Sequence, residues 1–175
     1  MVDRVRNVFK GRVLTLNLEQ VTLPNGRVAE LEIAHHPGGA AIVALDAAGR
    51  VCLLRQYRHA AGGWLDELPA GKLDGGEPPI ECAVRELAEE AGMQAGRWEK
   101  LGEYLSSPGV LTEVIHVFLA RDLVPVESTP EEHEVFEVHW LPLPEVVARA
   151  ASGGLRDGKS LVGLFWASEA LRRNS

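Results

Sequence analysis

Gly71-Lys-Leu-Asp-Gly-Gly-Glu77-Pro-Pro-Ile-Glu-Cys-Ala-Val-Arg85-Glu86-Leu87-Ala-Glu89-Glu90-Ala-Gly92-Met93 is a glycine-rich loop that runs into a helix with readable ends. Pro78 and Pro79 suit a first turn, where a missing N–H costs nothing, and Gly92 can take a positive φ just past the last turn. The spacing predicts a helix over Pro78 to Ala91, with Ile80, Ala83, Val84, Leu87 and Ala91 as one buried stripe. At 100° per residue Glu86 and Glu90 share one flank, and Glu89 reaches the same groove. Like charges at i, i+4 cost a helix about 0.2–0.5 kcal/mol per pair. A divalent cation reverses that sign. With oxygen donors and no thiolate or imidazole cluster, the chemistry points to Mg²⁺, for which Mn²⁺ can substitute.

Working outward, period-two alternation governs the first third of the chain. Arg12 to Leu23, the turn Pro24-Asn25-Gly26 and Arg27 to Ile33 predict a β-hairpin. After Pro37-Gly38-Gly39, the candidate boundary between an extension (1–37) and a main domain (38–175), the apolar run Ala40 to Leu45 turns at Asp46 to Gly49. It returns as Val51 to Arg55, predicting a second, more buried strand pair. A loop through Trp64 to Leu68 leads to the helix. Strands are expected at Glu99 to Leu105, Val114 to Leu119 and Phe136 to Leu141. Helices are expected at Pro144 to Ala151 and Ser160 to Arg172, the latter with Leu161, Leu164, Phe165, Ala167 and Leu171 to one side. The fold class is therefore mixed α/β without a βαβ repeat.

Composition narrows the function. A chain of 175 residues, 46% hydrophobic, encloses one substantial core. A net charge of −7 with scattered Lys and Arg argues against nucleic acid as partner. The two cysteines, Cys52 and Cys82, lie in apolar segments without metal-ligand spacing and read as buried free thiols. No hydrophobic leader or run of membrane-spanning length occurs, so a cytoplasmic enzyme without a membrane partner is expected.

Gly71, Glu77, Arg85, Glu86, Leu87, Glu89, Glu90, Gly92 and Met93 fill the Nudix box, Gly-x5-Glu-x7-Arg-Glu-aliphatic-x-Glu-Glu-x-Gly-aliphatic, at every position. A chance match at a given start is on the order of 10⁻⁹ from average residue usage. The sequence thus resembles the Nudix hydrolases. The resemblance implies an α/β/α sandwich with a mixed sheet and an N-terminal antiparallel hairpin. It also implies Glu86, Glu89 and Glu90 as metal ligands, with Arg85 and Glu77 bracing the loop. The reaction implied is attack of water on a phosphorus of a nucleoside diphosphate linked to a second group, releasing a nucleoside monophosphate and a phosphorylated product.

Flanking residues resemble the ADP-ribose pyrophosphatase branch: Glu67-Leu-Pro-Ala-Gly71 before the box, Arg55-Gln-Tyr-Arg58 earlier, and Ser107-Pro108-Gly109, with Pro108 fifteen residues after Met93. That branch implies the carbonyl of Ala70 as a further metal ligand and Arg58 at the substrate. Pro108, Gly109 and Glu113 are expected to join Arg58 there. Of the acidic loop Thr129-Pro-Glu-Glu-His-Glu134, Glu132 is carried over as general base and Glu134 as a third-metal ligand, with Glu131 and Glu134 as alternative bases. The implied substrate is a nucleoside diphosphate sugar such as ADP-ribose, cleaved to AMP and ribose 5-phosphate by a homodimer whose N-terminal strands are exchanged between subunits, with folding back onto their own chain as the alternative. GDP-mannose, a dinucleoside polyphosphate or an oxidised nucleotide are alternative substrates. A binding module without catalysis is the third reading, and the intact box carboxylates oppose it.

Overall fold

The computed structural model describes residues 2–129 and 134–173. Its interior is built on strands that alternate between two helical layers. β4 (Gly39–Ala44) and β5 (Arg50–Arg58) are central. Along β4, Ala40, Ile42 and Ala44 pack toward α1 (Pro79–Ala91), whereas Val43 faces α2 (Leu143–Ala151) and α3 (Gly158–Arg173). Cys52 and Leu54 of β5 join the α1 side, and Val51 and Leu53 the other. β9 (Val114–Pro125) repeats the pattern, with Phe118 and Ala120 against α1 and Leu119 opposite. Strands covered on both faces read as continuous apolar runs. That is the α/β/α sandwich anticipated above.

β4 and β5 do not pair with one another as the turn at Asp46 to Gly49 suggested. Only an isolated bridge, Leu45 to Val51, links them. β4 lies parallel to β9 and antiparallel to β7 (Ala70–Lys72), while β9 pairs antiparallel with β8 (Met93–Leu105). β5 instead sits between β6 (Gly63–Glu67) and β10 (Phe136–Pro142), both antiparallel. Two buried apolar strands each have more surface to cover than one shared hairpin can hide, so each recruits distant neighbours. β6 occupies most of the stretch Trp64 to Leu68, where the sequence predicts a loop, because its backbone completes the edge of β5.

The N-terminal segment gains a strand. β1 (Val2–Lys10) pairs with β2 (Thr15–Thr22), which pairs with β3 (Val28–His35), all antiparallel. The β2–β3 hairpin and its Asn25-Gly26 turn lie where alternation put them, with Gly26 at φ 80°. β3 is tied to the main body by Ala34, whose N–H donates to the Val110 carbonyl at 2.8 Å and whose carbonyl accepts from Thr112 N–H at 3.0 Å.

Two helices are rotated from their expected faces. Ile80 and Val84, assigned to the buried stripe of α1, are exposed (Val84 41%), whereas Cys82, Ala83, Glu86, Leu87 and Glu90 are buried. The helix turns its carboxylates inward and leaves two aliphatic side chains outside. On α3, Phe165 is 62% exposed, and the buried face runs through Ser160, Gly163, Leu164 and Ala167. Gly163 sets that rotation. A Cβ there would lie 2.7 Å from Leu68 Cδ1, so the helix approaches the sheet on its glycine. No helix among the described residues is long and apolar enough to cross a membrane.

Candidate active site

Short β7 carries the loop Ala70–Gly71 along the edge of β4, opposite Ala41 and Ala40. α1 then returns over it, capped by Gly92 at φ 62°, whose N–H bonds to the Ala88 and Leu87 carbonyls. This places Glu90, 1% exposed, under the loop, where its Oε2 accepts the Ala70 N–H at 2.8 Å. Burial raises its pKa first. The Ala70 hydrogen bond and the Arg58 charge oppose that rise, Glu86 and Glu134 add to it, and the result is about 8. Glu86, one turn earlier, is raised by burial as well, against the pull of Arg85.

Gly71 is required by contact rather than by conformation. A Cβ on it would fall 1.7 Å from Glu86 Oε1 and 2.0 Å from Cδ, so the carboxylate occupies the space a side chain would take. Arg85 organises the rest. Its Nη1 donates to Glu86 Oε1 at 2.6 Å and Glu89 Oε2 at 3.0 Å, and its Nη2 to Glu77 Oε1 at 2.9 Å and the Lys72 carbonyl at 3.2 Å. Glu77 Oε1 also accepts the Asp74 N–H at 2.9 Å. The hydrogen bond from Arg85 leads the effects that hold Glu77 below the ordinary carboxylate range. Arg85 and Glu77 therefore brace the loop.

Ala70, Gly71, Lys72 and Glu86 form one wall of a cleft of about 650 Å³, within the range of small-molecule sites. Arg58, Tyr104, Glu113 and Glu134 line its other sides, as do Asp157 and Lys159 at the start of α3. Arg58 is engaged by Glu67 through Nε and Nη2, at 3.1 and 3.0 Å. Glu113 lies 3.3 Å from His36 Nδ1. Pro108 and Gly109 fall in the exposed turn Ser107 to Val110, where Val110 N–H bonds to the Ser107 carbonyl at 3.1 Å. That turn flanks the cleft, while Ser106 and Glu113 on either side line it. Glu132, the candidate base, and Glu131 lie outside the described residues.

The donor set suits a hard divalent cation: buried carboxylates beside a backbone loop, and a glycine cradle that lets Glu86 reach it. Among the described residues no three acidic, histidine or cysteine side chains already converge at ligand spacing, and Arg85 sits among Glu77, Glu86 and Glu89. Cys82 donates to the Lys72 carbonyl behind the loop at 3.4 Å, and burial pushes its thiol, like that of Cys52, up to about 12. Both are buried free thiols, as expected.

Tyr104, Asp157 and Lys159 carry no signal in the sequence analysis, in which Glu67 figures only as the first residue of the Glu67-Leu-Pro-Ala-Gly71 stretch, without a role. Glu67 carries a local signal, as one of two adjacent carboxylates, Asp66 and Glu67, within the otherwise apolar Trp64 to Pro69 approach to the box.

Comparison with known proteins agrees with this geometry. The chain is 37% identical to an ADP-ribose pyrophosphatase of Bacillus subtilis (strain 168), covering 87% of this chain and 84% of the relative. It is 38% identical to one of Mycobacterium tuberculosis (strain ATCC 25618 / H37Rv), covering 89% and 76%. A GDP-mannose pyrophosphatase of Salmonella arizonae is 36% identical, with 89% and 86% covered. A crystal structure described as an ADP compounds hydrolase superposes with a TM-score of 0.86 over all of this chain and 95% of that one, at 21% identity, a likeness of fold. With the NUDIX domain model matching residues 35–161, around a loop-helix whose box residues make the contacts just described, the chain belongs to the Nudix hydrolase family.

Proposed function

We propose that the protein hydrolyses the diphosphate bond of a nucleoside diphosphate sugar, ADP-ribose foremost, to AMP and ribose 5-phosphate. The observation that carries this is the cleft itself. Buried Glu86 lines it together with the Ala70–Gly71 loop, Glu90 is buried behind that loop with its carboxylate on the Ala70 N–H, and Arg58 lies elsewhere on the lining. The two ADP-ribose pyrophosphatase relatives support the substrate. Glu86, Glu89, Glu90 and the Ala70 carbonyl would hold Mg²⁺, with Glu134 on the lining of the same cleft. A divalent ion bound there supplies a coordinated water of lowered pKa and neutralises phosphoryl oxygen charge. Arg85 keeps Glu86 and Glu89 oriented, and Arg58 and Glu113 on the cleft lining, with Pro108 and Gly109 in the turn that flanks it, bind the substrate. Glu132 takes the proton of the attacking water.

The β1–β3 sheet is the proposed dimerisation extension, residues 1–37, joined to the main domain 38–175. Its exposed Val2, Val5, Val8 and Phe9 form apolar surface that a second copy would cover. Val13, from the same segment, already lines the cleft.

Product analysis with purified protein, Mg²⁺ and ADP-ribose, GDP-mannose, dinucleoside polyphosphates and nucleoside triphosphates tests the reading, each with an EDTA control. The expected outcome is metal-dependent AMP and ribose 5-phosphate with the highest kcat/KM on ADP-ribose. A higher value on GDP-mannose would favour the second reading, to which the Salmonella relative lends support. Glu132→Gln is expected to lower kcat by about 10²–10⁴-fold with metal affinity intact, measured by titration. An unchanged rate would transfer the base role to Glu131 or Glu134.

A further inference from the structure

Glu67 ends β6 with its carboxylate only 2% exposed, where an unpaired charge would be strongly unfavourable. Two cations enclose it. Arg58, the last residue of β5, donates from Nε to Oε1 at 3.1 Å and from Nη2 to Oε2 at 3.0 Å. Lys159, in the first turn of α3, donates from Nζ to the same Oε2. Burial alone would raise the Glu67 pKa, but the hydrogen bonds and charges of Arg58 and Lys159 outweigh it and hold the group below its ordinary value. The carboxylate is ionised. Its neighbour Leu68 is fastened to the same turn, its N–H donating to Ser160 Oγ at 2.7 Å, and Lys159 also meets Asp157 Oδ1 at 3.0 Å.

The fork uses one edge of the guanidinium, Nε with Nη2. Its other edge, Nη1 with the second Nη2 hydrogen, makes no hydrogen bond to the described residues, and Arg58 lines the cleft. A guanidinium gripped by one edge holds the other at a fixed angle, and that end-on edge matches a pair of phosphate oxygens. A lysine could not serve both partners in this way.

We propose that Glu67 is a positioning residue that locks Arg58 by its side-on edge, so that the end-on edge receives the anionic oxygens of the substrate's diphosphate. This rests on the nucleoside diphosphate sugar reading above. A purely architectural Glu67, fastening α3 to β6, makes a different prediction.

The test is a double-mutant cycle of Glu67→Gln and Arg58→Ala, measured on the Mg²⁺ enzyme with ADP-ribose and with GDP-mannose. Glu67→Gln is expected to raise KM about tenfold with kcat changed less than about threefold, as for a lost charge-assisted contact made equally in ground and transition states. The double variant is expected to match Arg58→Ala alone in kcat/KM, because Glu67 acts through Arg58. Losses that multiply would overturn the proposal. A substrate-free readout stands beside it, the Arg58 Nε–H signal in a ¹H–¹⁵N spectrum, expected to persist in the wild type and to shift or broaden away in Glu67→Gln. An unmoved signal also overturns it. Should the wild type cleave neither nucleotide sugar, the substrate reading fails on its own while the spectrum still judges Glu67. If Glu67→Gln does not fold, Glu67→Asp, which keeps the charge but shortens the reach, enters the same cycle with a smaller rise in KM expected.

Discussion

Replacing Glu90 by glutamine is expected to lower kcat by about 10²–10⁴-fold without unfolding the protein, since a lost metal ligand forfeits several kcal/mol of transition-state stabilisation. The amide oxygen of glutamine can still accept the Ala70 N–H that Glu90 Oε2 accepts at 2.8 Å, so the local architecture is retained. Stability carries an independent signature. The folded pKa of Glu90 is about 8 against an ordinary 4.5, so between those values the folded state holds a proton that the unfolded state has released. Stability from this group is therefore fully present below about pH 4.5 and is lost as pH rises through about 8. Glutamine is neutral throughout and lacks that slope. Thermal denaturation of metal-free protein from pH 5 to 9 is expected to show the wild type losing ground to Glu90→Gln as pH rises. Mg²⁺ favours the ionised carboxylate and is expected to restore the wild type most at the alkaline end, with little effect on the variant. Parallel curves with and without metal would remove Glu90 from the metal site.

That experiment probes a residue the sequence located well and oriented poorly. The 100° rule put Glu86 and Glu90 on one flank of α1, and they do share one, but the apolar pattern assigned Ile80 and Val84 to the buried face along with Ala83 and Leu87, and of these four only Ala83 and Leu87 are buried. Periodicity assumes that hydrophobicity decides which side of a helix turns inward. Here Arg85 neutralises part of the acidic cluster and the Ala70 N–H satisfies Glu90, so two glutamates can be buried and two aliphatic residues left outside. The layered sheet was legible because β4 and β9 are apolar on both faces, whereas partner choice was not. The turn at Asp46 to Gly49 favours a hairpin locally, and only the distant β9, β7, β6 and β10 reveal why β4 and β5 separate. β1 was missed because its nine residues are all exposed, which leaves no burial pattern to read. Lys159 and Glu67 were illegible as a pair, being 92 residues apart in the chain. No local pattern encodes such a contact.

Gly71→Ala is expected to cost nearly as much activity as loss of a ligand, for a reason that lies wholly in packing. Its backbone lies outside the positive-φ region that favours glycine, so alanine meets no conformational penalty. The added methyl would instead stand 1.7 Å from Glu86 Oε1 and 2.6 Å from its Cγ, separations no pair of unbonded atoms sustains. The yielding partner is the Glu86 side chain, because the loop backbone is held in the β7–β4 ladder and Gly39 leaves it little room. A Cβ on Gly39 would lie 2.7 Å from the Gly71 carbonyl. Once displaced, Glu86 loses its place beside Glu90, and Arg85 Nη1 loses its 2.6 Å partner. A drop in kcat of at least about 10²-fold is expected, together with weaker Mn²⁺ binding measured by titration of the metal alone. Gly109→Ala, where an added Cβ has nothing within 4 Å, is the control for steric cost, expected to leave the denaturation midpoint unchanged. Wild-type metal affinity in Gly71→Ala would show that Glu86 reaches the cation without the glycine cradle, and would move the role of Gly71 from the metal site to the loop alone.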